Sequence, residues 1–134
     1  MDQKYHHLYL EKAKELVSKM TVEEKLDIIL KSCESKKGID TKVMDIKGMT
    51  SIADYFVIVS GNSSTQVDAL AREIDEKLSE QGVEPIHSEG KNSSRWIILD
   101  FSDIIVHVFH KDEREYYKLE RLWEDNEKIN EEEQ

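Results

Sequence analysis

The stretch Tyr55-Phe56-Val57-Ile58-Val59-Ser60-Gly61-Asn62-Ser63-Ser64-Thr65-Gln66 decides the fold. Its opening apolar run is rich in β-branched residues and predicts a central strand covered on both faces. Ser63, with Gln66 three residues on, predicts a capping box. Val67, Leu70, Ala71, Ile74 and Leu78 then recur at helical spacing, and Gly82 closes the helix. A buried strand that passes straight into an amphipathic helix belongs to an α/β layer fold.

Upstream of it, Thr21-Val22-Glu23-Glu24 reads as another capping box, and Val22, Leu26, Ile29, Leu30 and Cys33 line one face of the helix it opens. Lys36 and Lys37 suit the negative end of that helix, and Gly38 suits its exit. Asp40 to Ile46 alternates as a strand, with Thr41 and Val43 on one side and Met44 and Ile46 on the other; Lys47 to Thr50 is a turn. Downstream, Val83 to His87 reads as a short strand. Pro85 removes a ladder donor and so places it at an edge. Arg95 to Phe101 and Ile104 to Phe109 form a hairpin around Ser102-Asp103. Asp112 is expected to cap a last helix that buries Tyr116, Leu119, Leu122 and Trp123. The sum is an α/β fold with a mixed five-stranded sheet and flanking helices.

The chain has 134 residues, enough for one compact domain. Residues 1–20 are expected to be an N-terminal helical extension, with Ala13, Leu16, Val17 and Met20 at helical spacing. Residues 21–123 form the domain, and 124–134 an acidic tail expected to be disordered. No apolar run is long enough to span a bilayer, and Cys33 is the single cysteine, so the reading is a cytoplasmic protein without a disulfide. The net charge of −10, with no cluster of Lys and Arg along the sequence, predicts little direct nucleic-acid contact. It suits solubility first, and a partner with a basic surface second.

No complete catalytic constellation is found. Ser60 to Ser64 lies where backbone N–H groups can hold an anion, but it lacks the lysine and the glycine spacing of a Walker loop. A two-metal nucleotidyltransferase site needs two carboxylates on one strand face. Val83 to His87 offers only Glu84, and Asp100 and Asp103 straddle a turn. Cys33 lies on an apolar stripe and reads as a core thiol. His107 shares the strand parity of Ile105 and Phe109 and reads as a buried, hydrogen-bonded histidine; His110 has the opposite parity, which argues against a shared metal site. Trp96, Ile98 and Asp100 share one face of their strand, Ile97, Leu99 and Phe101 the other. Either helices cover both faces, or one face is partly open and Trp96 is an interface anchor among acids.

Ile52-Ala53-Asp54-Tyr55-Phe56-Val57-Ile58 with Ser60-Gly61 and Gln66-Val67 resembles the Iojap-like family of ribosomal silencing factors. So do Trp96 to Phe101 leading into Asp103 to Phe109, and Arg114-Glu115-Tyr116-Tyr117 with Leu119-Glu120 and Leu122-Trp123. The resemblance covers Thr21 to Trp123 in order. It implies a nucleotidyltransferase-like scaffold that lacks the catalytic carboxylates, with no cofactor, no metal and no enzymatic activity. It further implies binding to the large ribosomal subunit through its ribosomal protein number fourteen, which blocks joining of the small subunit and represses translation when nutrients are scarce. The contact surface it implies is Trp96 and Ile97 with Glu89, Asp100 and Asp103. The chain departs from the family at Ser102, where glycine is frequent. Two readings stand beside this one: a nucleotide-binding or nucleotidyltransferase-like enzyme resting on the Ser60 to Ser64 turn, and a homodimer formed through strand edges and Trp96.

Overall fold

A computed structural model describes residues 20–119 and 121. The expected N-terminal helix, the acidic tail, and Leu122 and Trp123 therefore lie outside the described residues, as does the side chain of Tyr116. The elements are α1 (Val22–Ser35), β1 (Ile39–Asp45), β2 (Tyr55–Gly61), α2 (Ser64–Ser79), β3 (His87–Glu89), β4 (Trp96–Asp100), β5 (Ile104–His110) and α3 (Lys111–Tyr117). Their order along the chain is the order expected from the sequence.

One sheet runs β1-β2-β5-β4-β3. β2 and β5 are parallel, and the other neighbouring pairs are antiparallel. α1 and α2 pack on the same face, where Ile29 and Cys33 of α1 and Val67, Leu70, Ile74 and Leu78 of α2 meet Val57, Val59, Ile97, Leu99, Val106 and Val108 of the sheet. A second cluster lies on the opposite face: Met44, Phe56, Ile58, Ile105 and Phe109 with Ile46 and Ala53 from the β1–β2 connection. Met49, Trp96, Ile98 and Leu119 pack half-buried against it.

The helix signals act largely as expected. Thr21 and Glu24 form the reciprocal capping box of α1. Ser63 accepts from the Gln66 N–H, but the Gln66 carboxamide reaches one residue further back, to the Asn62 N–H at 2.7 Å. Its Nε2 donates to the Lys36 and Lys37 carbonyls, so one side chain joins the start of α2 to the end of α1.

Four local expectations are corrected. The exit of α1 places Lys37, not Gly38, in the left-handed region, at φ 57°. Gly38 is required for a different reason: a Cβ there would lie 2.5 Å from Val59 Cγ2. The edge strand is His87–Glu89 and not Val83 to His87, because the Val83 N–H goes back to the Leu78 carbonyl and Pro85 has no N–H to give. Glu89, beyond the end of the strand expected at Val83 to His87, consequently lies in the sheet. The cap of α3 is His110, whose Nδ1 accepts from the Asp112 N–H.

Candidate docking face of the sheet

Trp96, Ile98 and Asp100 are half-buried while Ile97 and Leu99 are buried, so β4 alternates between a closed and a half-open face. Helices α1 and α2 cover only the Ile97 side. Of the two readings of Trp96, the partly open face is the one observed. Strand pairing then completes that face. Glu89 pairs with Ile98, which pairs with His107; His87 pairs with Asp100, which pairs with Ile105; Trp96 pairs with Phe109. Residues opposite one another in register share a face. Trp96, Ile98, Asp100, Glu89 and His87 therefore form one patch at the β3–β4 margin of the sheet.

Among the described residues, the indole of Trp96 meets Phe109 and His107. It stacks on Phe109, with ring centroids 4.7 Å apart and planes 25° apart. Its Nε1–H donates to His107 Nδ1 at 3.1 Å. An Nδ1 that accepts carries no proton, so His107 is neutral with its proton on Nε2. That ring is 6% exposed and meets the edge of Phe56 at 4.9 Å. Its Nε2 is buried without a hydrogen-bond partner among the described residues. Burial holds the His107 pKa down at about 4, because the imidazolium would lose its water.

The acids of the patch differ in setting. Glu89 is exposed and its Oε1 lies 2.7 Å from His87 Nε2. Asp100 accepts the Ser102 N–H at 2.8 Å and so shapes the hairpin turn, where Ser102 takes φ 77°. The turn thus demands the conformation that glycine adopts most easily, and this chain meets it with serine.

Two residues expected at the contact surface lie elsewhere. Ile97 is 1% exposed in the helix-covered core, because adjacent strand residues point to opposite faces. Asp103 sits at the far end of β4 from Trp96, beyond Asp100, whose backbone four residues of extended chain put roughly 13 Å from that of Trp96. Its Oδ2 binds Lys25 Nζ of α1 at 2.9 Å, and its backbone carbonyl accepts from Asp54 and Tyr55. Asp103 therefore joins α1, β2 and the hairpin. Ile98 and His87 were missed as members of the patch. The parity of Trp96 points to Ile98, but His87 joins only through the β3 register.

Cys33 is 1% exposed, and burial pushes its thiol up to about 12, which fits a core residue without nucleophilic character. Among the described residues no group of three or more His, Cys, Asp and Glu is placed to hold a metal, and no helix is long and apolar enough to cross a membrane.

A family model described as "Ribosomal silencing factor during starvation" matches residues 19–134. The ribosomal silencing factor RsfS of Bacillus subtilis is 46% identical over 100 residues, which cover 75% of this chain and 85% of that protein. A crystal structure of a Chromobacterium violaceum protein superposes with a TM-score of 0.76 at 36% identity, covering 78% of this chain and 87% of that one. A mouse protein named "Mitochondrial assembly of ribosomal large subunit protein 1" is 27% identical over 101 residues, 73% of this chain and 44% of that protein.

Proposed function

This chain belongs to the family of ribosomal silencing factors, and we propose that it binds the large ribosomal subunit and represses translation by obstructing the small subunit. The observation that carries the reading is the one-face register of Trp96, Ile98, Asp100 and Glu89. A rigid aromatic anchor, seated on Phe109 and hydrogen-bonded to His107, has its acids at the margin. That combination fits a basic protein surface, with a buried aromatic centre supplying affinity and peripheral charge supplying orientation and encounter rate. Large-subunit ribosomal protein number fourteen, at the face that meets the small subunit, is the partner. The chain's charge of −10 suits a protein contact better than an RNA contact. The name of the mouse relative supports the large subunit as the particle concerned.

The mechanism is steric and needs no cofactor: a cytoplasmic domain occupies the surface on which the other subunit would sit. On this reading the domain is a nucleotidyltransferase-like scaffold that works by shape. Asp100 and Asp103, its nearest approach to a carboxylate pair, serve the Ser102 turn and Lys25. Ile98 takes the place of Ile97 in the contact surface, and Asp103 belongs to the supporting framework. Self-association through the same face would compete with docking.

Cosedimentation of the full chain with isolated large subunits tests the function. Trp96→Ala tests the face: truncating a central interface tryptophan costs about 2 kcal/mol or more, roughly thirtyfold in affinity. A variant that keeps the wild-type circular dichroism spectrum and still binds at wild-type strength removes Trp96 from the site. A wild-type chain that stays in the supernatant removes the function itself.

A further inference from the structure

A groove with a volume of about 350 Å³ lies between α1 and α2. The two helices run in opposite directions, because Gln66 at the start of α2 bonds to the Lys36 and Lys37 carbonyls at the end of α1. Ile28 of α1 lines the groove half-buried, and Lys77 and Gln81 line it from the end of α2 and just beyond.

The polar residues of the groove are already served. Lys31 Nζ pairs with Asp27 at 2.8 Å, Lys77 with Glu80 at 3.6 Å, and Glu73 with Lys36 at 4.0 Å. Ser32 Oγ donates to the Ile28 carbonyl at 2.8 Å, and Ser35 Oγ to the Ser32 carbonyl at 2.9 Å. The lysines and glutamates that line the groove balance in number, so no charge is left over for an ion. Most of the surface it presents is apolar. Lysine stems commonly extend such a surface while their charged ends stay in water. The groove therefore suits an apolar occupant.

We propose that residues 1–19 close this groove as an amphipathic helix that folds back along α1. The segment joins the described chain at Met20, which is half-buried immediately before the Thr21 cap of α1. Tyr9, Ala13, Leu16, Val17 and Met20 recur at helical spacing. Two antiparallel helices need only a short turn between them. Ala13 is as many residues before Lys19 as Ile28 is after Val22, so equal rise along both helices brings Ala13 level with Ile28. Tyr9 comes level with Ser32 in the same way. As a helix the segment spans about 28 Å and α1 about 21 Å, so it is long enough to cover the groove. A short tether also supplies the segment to the groove at an effective concentration on the order of millimolar. The family match begins at residue 19, so this contact is an addition to the domain that the relatives share. The helix layer lies on the sheet face away from Trp96. The clasp therefore leaves the docking face open and does not depend on ribosome binding.

Nuclear magnetic resonance of the full-length isotope-labelled chain tests the proposal without ribosomes. The expected result is Overhauser contacts between the Ala13 methyl group and the Ile28 side chain that persist on dilution. The paired substitutions Ala13→Asp and Val17→Asp should abolish those contacts and move the amide signals of Ile28, Ser32, Lys77 and Gln81. The amide signals of Glu89 and Ile98, on the other face of the sheet, should stay in place and show that the domain is folded. Groove signals that do not move in that folded variant overturn the proposal. So do contacts found only between labelled and unlabelled chains in a mixed sample, which would assign the groove to a second copy.

Discussion

The two faces of β4 differ in what they ask of their residues. Ile97 and Leu99 enter the apolar core closed by α1 and α2. Trp96, Ile98 and Asp100 point the other way, to a face that carries a hydrogen bond, a stacked ring, the half-buried Asp100 and the exposed Glu89. Five residues thus serve packing and presentation in alternation. The comparison teaches that a half-open sheet face can keep an aromatic group rigid without covering it: Phe109 below and His107 beside it are themselves buried.

The sharpest way to break this comparison is Leu99→Ala. Removing a fully buried side chain from the closed face should cost about 2–5 kcal/mol, read from the urea unfolding midpoint. Ile98→Ala should cost less than half as much. Equal losses would mean that both faces are core.

Acid comes next. The folded His107 pKa, at about 4, lies below the ordinary histidine value of 6.5, so the native state prefers the neutral ring. The unfolded chain takes up a proton first, and the stability contributed is full above pH 6.5 and is lost as pH falls towards 4. The expected loss is on the order of a few kcal/mol, and His107→Phe should flatten that part of the profile. A protonated Nδ1 would also face the indole N–H as a second donor. Trp96 fluorescence should therefore change in the same pH window, with Trp123→Phe in the background to isolate it.

Trp96→Phe is a smaller probe. It keeps an aromatic ring against Phe109 and removes the donor to His107, for an expected loss of about 1 kcal/mol in urea unfolding. The smallest effect belongs to Glu89→Gln, whose stability should stay within about 0.5 kcal/mol of wild type. Its signature should be a weaker salt dependence of large-subunit association. If Glu89→Gln leaves that salt dependence unaltered, the acid margin has no part in docking.

Much of this was legible in the residues. The run Tyr55 to Val59, the caps at Thr21 and Ser63, and the alternation from Trp96 to Phe101 placed most elements, because backbone preferences and periodicity act locally. The edge strand slipped by about four residues because Pro85 marks an edge but does not say which neighbours use their N–H groups. The parity that set Trp96 with Ile98 and Asp100 put Ile97 on the other face, so expecting Ile97 at the contact surface ran against the alternation, and its side chain is buried. Asp103 read as a surface acid because its partner Lys25 lies in another element, far back along the chain.

The sequence by itself determined the element order, the apolar stripes and the family, since each is written in local pattern and residue identity. Only the tertiary structure decided the sheet order, which face of β4 the helices close, and which charges become neighbours. Along the chain Lys42, Lys111, Arg114 and Arg121 form no cluster, yet the pairing of β1 with β2 and the exit of β5 gather them around one cleft. Those outcomes depend on contacts between distant segments, and the free energy of such contacts exists only once the chain has closed on itself.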